Sequence, residues 1–181
     1  VEIDVGLARC GVRTIEEAVE LSKKAVSCPG IKFRGIMGYE GHCNKYTELK
    51  QRKEEVEKAN NILSELKKAL LKEKIDVEIV SGAGTAMYNI ASLNPDITEI
   101  QAGAYILMGT KWSSMEGIPF KQAETILATV ISTPEPDTLI LDVGHKGYST
   151  ETGNPTIKGY SGIQIARIGE EHTTLKLTDC K

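Results

Sequence analysis

Ser81-Gly82-Ala83-Gly84-Thr85 sets two hydroxyls and two glycines between an apolar run and a helical one. Small residues in that position let backbone N–H groups converge on an anion such as a phosphate, and Ser81 and Thr85 add hydroxyl donors. A helix predicted to begin near Ala86 would add the positive end of its dipole. No Gly-Lys-Ser/Thr follows, and the spacing is not G-x-G-x-x-G. The same composition also suits a tight turn that merely needs small residues. A second element, Glu99-Ile-Gln-Ala-Gly-Ala-Tyr105, carries the pair Gly103-Ala104, which lets a backbone approach a ligand. Tyr105 could reach a phosphate oxygen there, or could close a buried strand end. A third, Gly38-Tyr39-Glu40-Gly41-His42 with Tyr46 beyond it, offers an imidazole for acid–base work or for stacking on a ring. A single His serves equally well as a hydrogen-bonded structural residue. Finally, Arg9 closes Asp4-Val-Gly-Leu-Ala-Arg9, where a cation can meet a phenolate or phosphate oxygen, or a surface carboxylate.

The elements that must position these residues alternate. Residues 2–7 read as a strand, and Thr14 with Glu17 forms a capping box at the start of a helix. Ile15, Ala18, Val19, Ser22, Ala25 and Val26 share that helix's face, and Pro29-Gly30 ends it. A strand over 32–37 leads to a long helix reaching about residue 72, with Val56, Ala59, Ile62, Leu63, Leu66, Ala69 and Leu70 as its apolar stripe. Strands at 77–80 and 97–101 flank a short helix over 86–92. Helices between strands imply right-handed crossovers and a parallel sheet. An open doubly wound sheet and part of a (β/α)8 barrel both satisfy this order. The glycines favour the barrel, since Gly6, Gly38, Gly82, Gly84 and Gly103 all fall at carboxyl ends of strands, the face where barrels hold phosphates.

From Gly117-Ile118-Pro119 onward the pattern changes to strands at 123–133, 138–143, 162–168 and 173–177. Pro134-Glu-Pro-Asp137 reads as a turn, and Ile168-Gly-Glu-Glu-His172 as a hairpin. The expected fold is therefore α/β: the C-terminal half of a (β/α)8 TIM-like barrel, residues 1–118, followed by a mostly antiparallel β domain, residues 119–181. Four barrel strands covered on one side only would leave an apolar inner face open; either further chain or another molecule closes it, or the barrel reading fails, and further chain is the expectation.

Composition narrows the function. The net charge of −3, with 22 basic residues interleaved among 25 acidic ones, gives no nucleic-acid surface. No apolar run is long enough to span a membrane, and the first residues do not form a signal peptide. Cys10, Cys28, Cys43 and Cys180 show no C-x-x-C pair, which fits reduced thiols in a cytoplasmic protein.

Val1–Val12 resembles the fifth-strand segment of the fold-type III pyridoxal-phosphate (PLP) enzymes, the alanine racemase-like barrels. Gly-Tyr-Glu-Gly-His, Ser-Gly-Ala-Gly-Thr, Thr-Glu-Ile-Gln-Ala-Gly-Ala-Tyr, Leu-Asp-Val-Gly-His-Lys and Glu170-Glu-His172 resemble, in this order, the branch holding D-threonine aldolase, D-serine dehydratase and 3-hydroxyaspartate aldolase. The similarity runs from Val1 to about Leu177.

The resemblance implies a PLP-dependent lyase acting on small D-3-hydroxy amino acids. Racemisation of the alanine racemase type, or PLP binding without turnover, stand as alternatives, and an unrelated sugar-phosphate barrel as a remoter one. It implies that Arg9 bonds the cofactor's phenolate oxygen, that Tyr39 and His42 lie at its ring with Tyr46 nearby, and that His42 is catalytic. Ser81, Gly82, Gly84, Thr85, Gly103, Ala104 and Tyr105 would then hold the phosphate. Gln101 would face the pyridine nitrogen as a neutral group. The family's cofactor-bearing lysine is expected upstream of Val1, so Lys146 does not replace it. The ligands of a divalent metal, Zn or Mn, are expected downstream of Lys181, and no residue here is assigned to it. The chain thus reads as a fragment inactive alone, from a homodimeric enzyme.

Overall fold

The structure, a computed structural model, describes residues 1–151 and 153–178, so Cys180 lies outside it. The chain forms two compact units, one of residues 1–106 and 114–119, the other of residues 107–113 and those from 120 on.

In the first unit the Thr14 hydroxyl accepts the Glu17 N–H at 3.1 Å, and the Glu17 carboxylate accepts the N–H groups of Thr14 and Arg13. This reciprocal cap starts α1, Ile15–Ser27. Ala18, Val19 and Ser22 are buried, whereas Val26, expected on the same face, is 56% exposed. Strand β1 (Gly35–Met37), the long α2 (Leu49–Lys72), β2 (Ile79–Gly82), the one-turn α3 (Tyr88–Ala91) and β3 (Glu99–Ile100) follow. The three strands are parallel in the order β1-β2-β3. Gly35 pairs with Ile79, and a Cβ there would lie 1.9 Å from the Ile79 carbonyl oxygen, so only glycine allows this approach.

The strand expected over 2–7 is cut down to two parallel bridges, Glu2 with Met37 and Ile3 with Val12. The cause is local. The Asp4 carboxylate accepts the N–H groups of both Gly6 and Ala8 at 3.0 Å, and Gly6 (φ +125°) turns the chain out of the sheet.

Ile36 and Val80 point from the sheet into a core with Ile3, Val5, Ala18, Val19, Ala59, Leu63, Leu66 and Leu70. Each of the Val, Leu and Ile side chains contributes about 1.5–3 kcal/mol on burial. Met37, Ile79, Ser81, Glu99 and Gln101 point the other way and line an open concavity of about 430 Å³. This inner face was expected to be apolar. It is mixed, because Ser81, Glu99 and Gln101 are joined there by hydrogen bonds.

The second unit holds the short α4 (Thr110–Ser113) and an antiparallel sheet of β4 (Val130–Glu135), β5 (Thr138–Leu141), β6 (Ile163–Ile168) and β7 (Thr173–Leu177). Its order is β4-β5-β7-β6. Residues 123–129, expected in the first strand, precede β4 instead. Pro134 sits within β4, which is an edge strand and tolerates a residue without an N–H. The β6–β7 hairpin closes through the Gly169 N–H, which donates to the His172 carbonyl at 2.8 Å. No helix among the described residues is long and apolar enough to cross a membrane.

Candidate functional site

Strand β2 delivers the chain into the Ser81–Thr85 turn, whose residues are all buried. Ala83 adopts φ +60°, unusual for a residue with a Cβ. Two bonds fix it there. Its N–H donates to Glu40 Oε2 at 3.1 Å, and the Gln101 N–H donates to both the Gly82 and Ala83 carbonyls at 2.8 and 2.9 Å. The N–H groups of Gly84, Thr85 and Ala86, which come next, donate to no protein acceptor among the described residues. Successive amides left in this way form a concavity that suits an anion. Helix α3 begins only at Tyr88 and has four residues, not the 86–92 expected, so its dipole adds little beside the turn's own amides.

Thr85 is 4% exposed, and its Oγ1 accepts the Tyr105 N–H at 3.1 Å. The hydroxyl hydrogen stays available to an anion. The same bond hangs the Gly103–Tyr105 segment beside the turn. Gly103 is exposed, and a Cβ on it would meet nothing within 4 Å. Ala104 opens a 3-10 turn ending at Ile106, and Tyr105 is 44% exposed rather than in the core.

Arg9 and Tyr39 join the group from the other side. The Arg9 guanidinium lies 5.3 Å from the Tyr39 ring centroid. A Cβ on Gly84 would stand 2.9 Å from the Tyr39 hydroxyl, so glycine there gives the phenol its place against the turn. His42 packs its ring under Gly6, and its Nδ1 is buried without a partner. Burial, then the Lys45 charge, holds its pKa below the usual imidazole value, leaving a neutral ring at pH 7. Burial also pushes the adjacent Cys43 thiol up to about 12, so it is no nucleophile.

Not every expected residue comes to this cluster. Tyr46 faces the Lys45 ammonium at 4.9 Å, and its carbonyl accepts from Arg52 at 2.9 Å. Ser81, expected to donate to the anion, instead donates to Glu99 Oε1 at 2.5 Å and accepts from Gln101 Nε2 at 2.9 Å on the concave face. Strand alternation is the reason, since Ser81 still belongs to β2 and its side chain follows the pleat. Three residues had no sequence signal: Glu40, Glu99 and Asp4. Nothing in Gly-Tyr-Glu-Gly-His distinguishes a buried carboxyl from an exposed one. Lys146 pairs with Glu171 at 2.9 Å on the surface of the second unit. Among the described residues no three His, Cys, Asp or Glu side chains gather to hold a metal. Cys10, Cys28 and Cys43 are free thiols.

A parallel β/α half-barrel with a turn of unpartnered amides after one strand, followed by an antiparallel β unit, defines an alanine racemase-like α/β protein. The alanine racemase N-terminal domain model matches residues 1–111, and the chain belongs to that family. A serine dehydratase domain model matches residues 123–181. The chain is 32% identical to a D-threonine aldolase of Arthrobacter sp over 180 residues, 98% of this chain and 48% of the relative. It is also 32% identical to a 3-hydroxy-D-aspartate aldolase of Paracoccus denitrificans, over 99% of this chain and 48% of that one. The solved D-threonine aldolase of Filomicrobium marinum superposes with a TM-score of 0.94 at 28% identity, over 98% of this chain and 48% of that one. The chain thus spans about half the length of the relatives it matches.

The donor set fits PLP. Three unpartnered amides and the Thr85 hydroxyl suit a phosphate, the Arg9 cation suits a phenolate oxygen, and Tyr39 with a neutral His42 suits an aromatic ring.

Proposed function

We propose that the protein carrying this chain is a PLP-dependent lyase of small D-3-hydroxy amino acids, working by retro-aldol cleavage or by β-elimination. The observation that carries this reading is the run of unpartnered amides at Gly84, Thr85 and Ala86 beside the Thr85 hydroxyl. The names of the relatives supply the substrate class.

Bound PLP draws electrons from the substrate's Cα and so lowers the cost of breaking a bond next to it. This chain's own residues do the rest. The amides of Gly84–Ala86 and the Thr85 hydroxyl grip the phosphate, with Gly103 and Ala104 beside them. Arg9 neutralises the phenolate oxygen and is itself held against the Tyr39 ring. His42, neutral at pH 7, has a buried nitrogen able to hold or pass a proton. Gln101 offers a neutral amide on the concave face. Residues 1–118 serve as the cofactor-binding part and 119–181 as part of the β domain. The cofactor-bearing lysine and the ligands of a divalent Zn or Mn ion come from outside this chain. The working enzyme is a cytoplasmic homodimer.

The test is product analysis on the intact protein with D-threonine and D-3-hydroxyaspartate. Glycine with an aldehyde or glyoxylate, or a keto acid with ammonia, supports the reading. Appearance of the other enantiomer without cleavage would indicate a racemase, and bound PLP without turnover a non-catalytic binder. Either overturns it.

A further inference from the structure

We propose that Glu40 is a positioning residue for the phosphate-binding turn, holding the Ala83 N–H so that the three following amides stay turned toward the anion. This rests on the PLP reading above. Glu40 is 1% exposed, on the loop after β1, while Ala83 lies on the loop after β2. One carboxyl oxygen spans that gap to the Ala83 N–H at 3.1 Å. The other oxygen is buried with no partner. Ala83 holds a left-handed φ of +60° without being glycine, and such a backbone persists only where its surroundings over-determine it. Here the surroundings are Glu40 on the N–H and Gln101 on the carbonyl. Were Ala83 free to relax toward negative φ, the amides after it would turn with it.

The same carboxyl lies in the segment that carries Tyr39 and His42, so one bond fixes the ring-side residues to the phosphate-side turn. Burial favours the uncharged form of Glu40. An uncharged carboxyl still accepts from Ala83 and does not repel a phosphate nearby. An ionised one would oppose the anion.

The experiment compares PLP with pyridoxal, which lacks the phosphate, by titrating both into intact apoprotein of wild type, Glu40→Met and Glu40→Gln. Met fills the side chain's volume without an acceptor. Glu40→Met is expected to weaken PLP binding about 10- to 100-fold, the scale of losing a well-placed bond to a charged group, while pyridoxal binding stays within about twofold. Glu40→Gln keeps an uncharged acceptor and is expected to stay within about threefold of wild type for PLP. The proposal is overturned if Glu40→Met keeps the wild-type preference for PLP, if it weakens both ligands equally, or if Glu40→Gln behaves like Glu40→Met. A wild type that binds both ligands equally overturns the phosphate reading itself, and Glu40's role with it. Should Glu40→Met not fold, hydrogen exchange on wild type decides. The Ala83 amide is expected to exchange slowly without cofactor, while those of Gly84, Thr85 and Ala86 exchange fast and are slowed by PLP only. An Ala83 amide as fast as its three neighbours overturns the proposal.

Discussion

Thr85 is central to the proposed phosphate site, because its oxygen accepts from Tyr105, which leaves its own O–H to donate to an anion. Thr85→Val keeps the shape and removes the hydroxyl. It is expected to weaken PLP binding roughly 10- to 100-fold and to leave pyridoxal binding unchanged, read by fluorescence titration. Asp4 acts at a distance, through the loop that presents Arg9. Burial raises its pKa, but the N–H groups of Ala8, Gly6 and Leu7 and the Arg13 guanidinium together outweigh burial and hold the carboxyl below the usual value. A depressed folded pKa means that the carboxylate's contribution is complete above the ordinary Asp range and is lost as pH falls through the folded value. Asp4→Ala is therefore expected to cost about 1–3 kcal/mol at pH 7 and to flatten acid destabilisation in that range, measured by urea unfolding between pH 2 and 7. The sequence drew attention to Arg9, Tyr39, His42 and Thr85 because a cation, two rings and a hydroxyl stand there close to glycines. It did not show Glu40, whose importance lies in burial and in one bond to a residue far along the chain.

At the scale of elements, sequence was most informative where periodicity was long. The apolar stripe of α2 is buried at Val56, Ala59, Leu63, Leu66 and Leu70, with Ile62 and Ala69 packed at its margin. The capping box of α1 also forms as read. The strands were less legible. Residues 2–7 alternate like a strand, yet the Asp4 carboxylate competes for the backbone and ends pairing after Ile3. Ser81 was read with the turn but obeys the strand's pleat. Two substitutions probe these elements by thermal or chemical unfolding. Thr14→Ala removes the cap and is expected to cost about 1 kcal/mol. Leu66→Ala, at a position 0% exposed, is expected to cost about 2–5 kcal/mol.

At the scale of the whole molecule, the family follows from the match over residues 1–111, and the six ordered motifs had already pointed to it. An open inner face lined by Met37, Ile79, Ser81, Glu99 and Gln101 is what half a barrel presents. Alternation says which residues face inward, but not that Ser81, Glu99 and Gln101 bond to each other there. The homodimer proposed above predicts twice the protomer mass by sedimentation of the intact protein, and a protomer-sized species would contradict it. On the function proposed above, the turn after β2 seats the cofactor's phosphate. A crystal structure of the PLP-loaded intact protein tests it most directly. The phosphate oxygens are predicted to lie at about 2.7–3.2 Å from the amide nitrogens of Gly84, Thr85 and Ala86 and from the Thr85 hydroxyl. A phosphate bound elsewhere, with those amides still unpartnered, would contradict that placement.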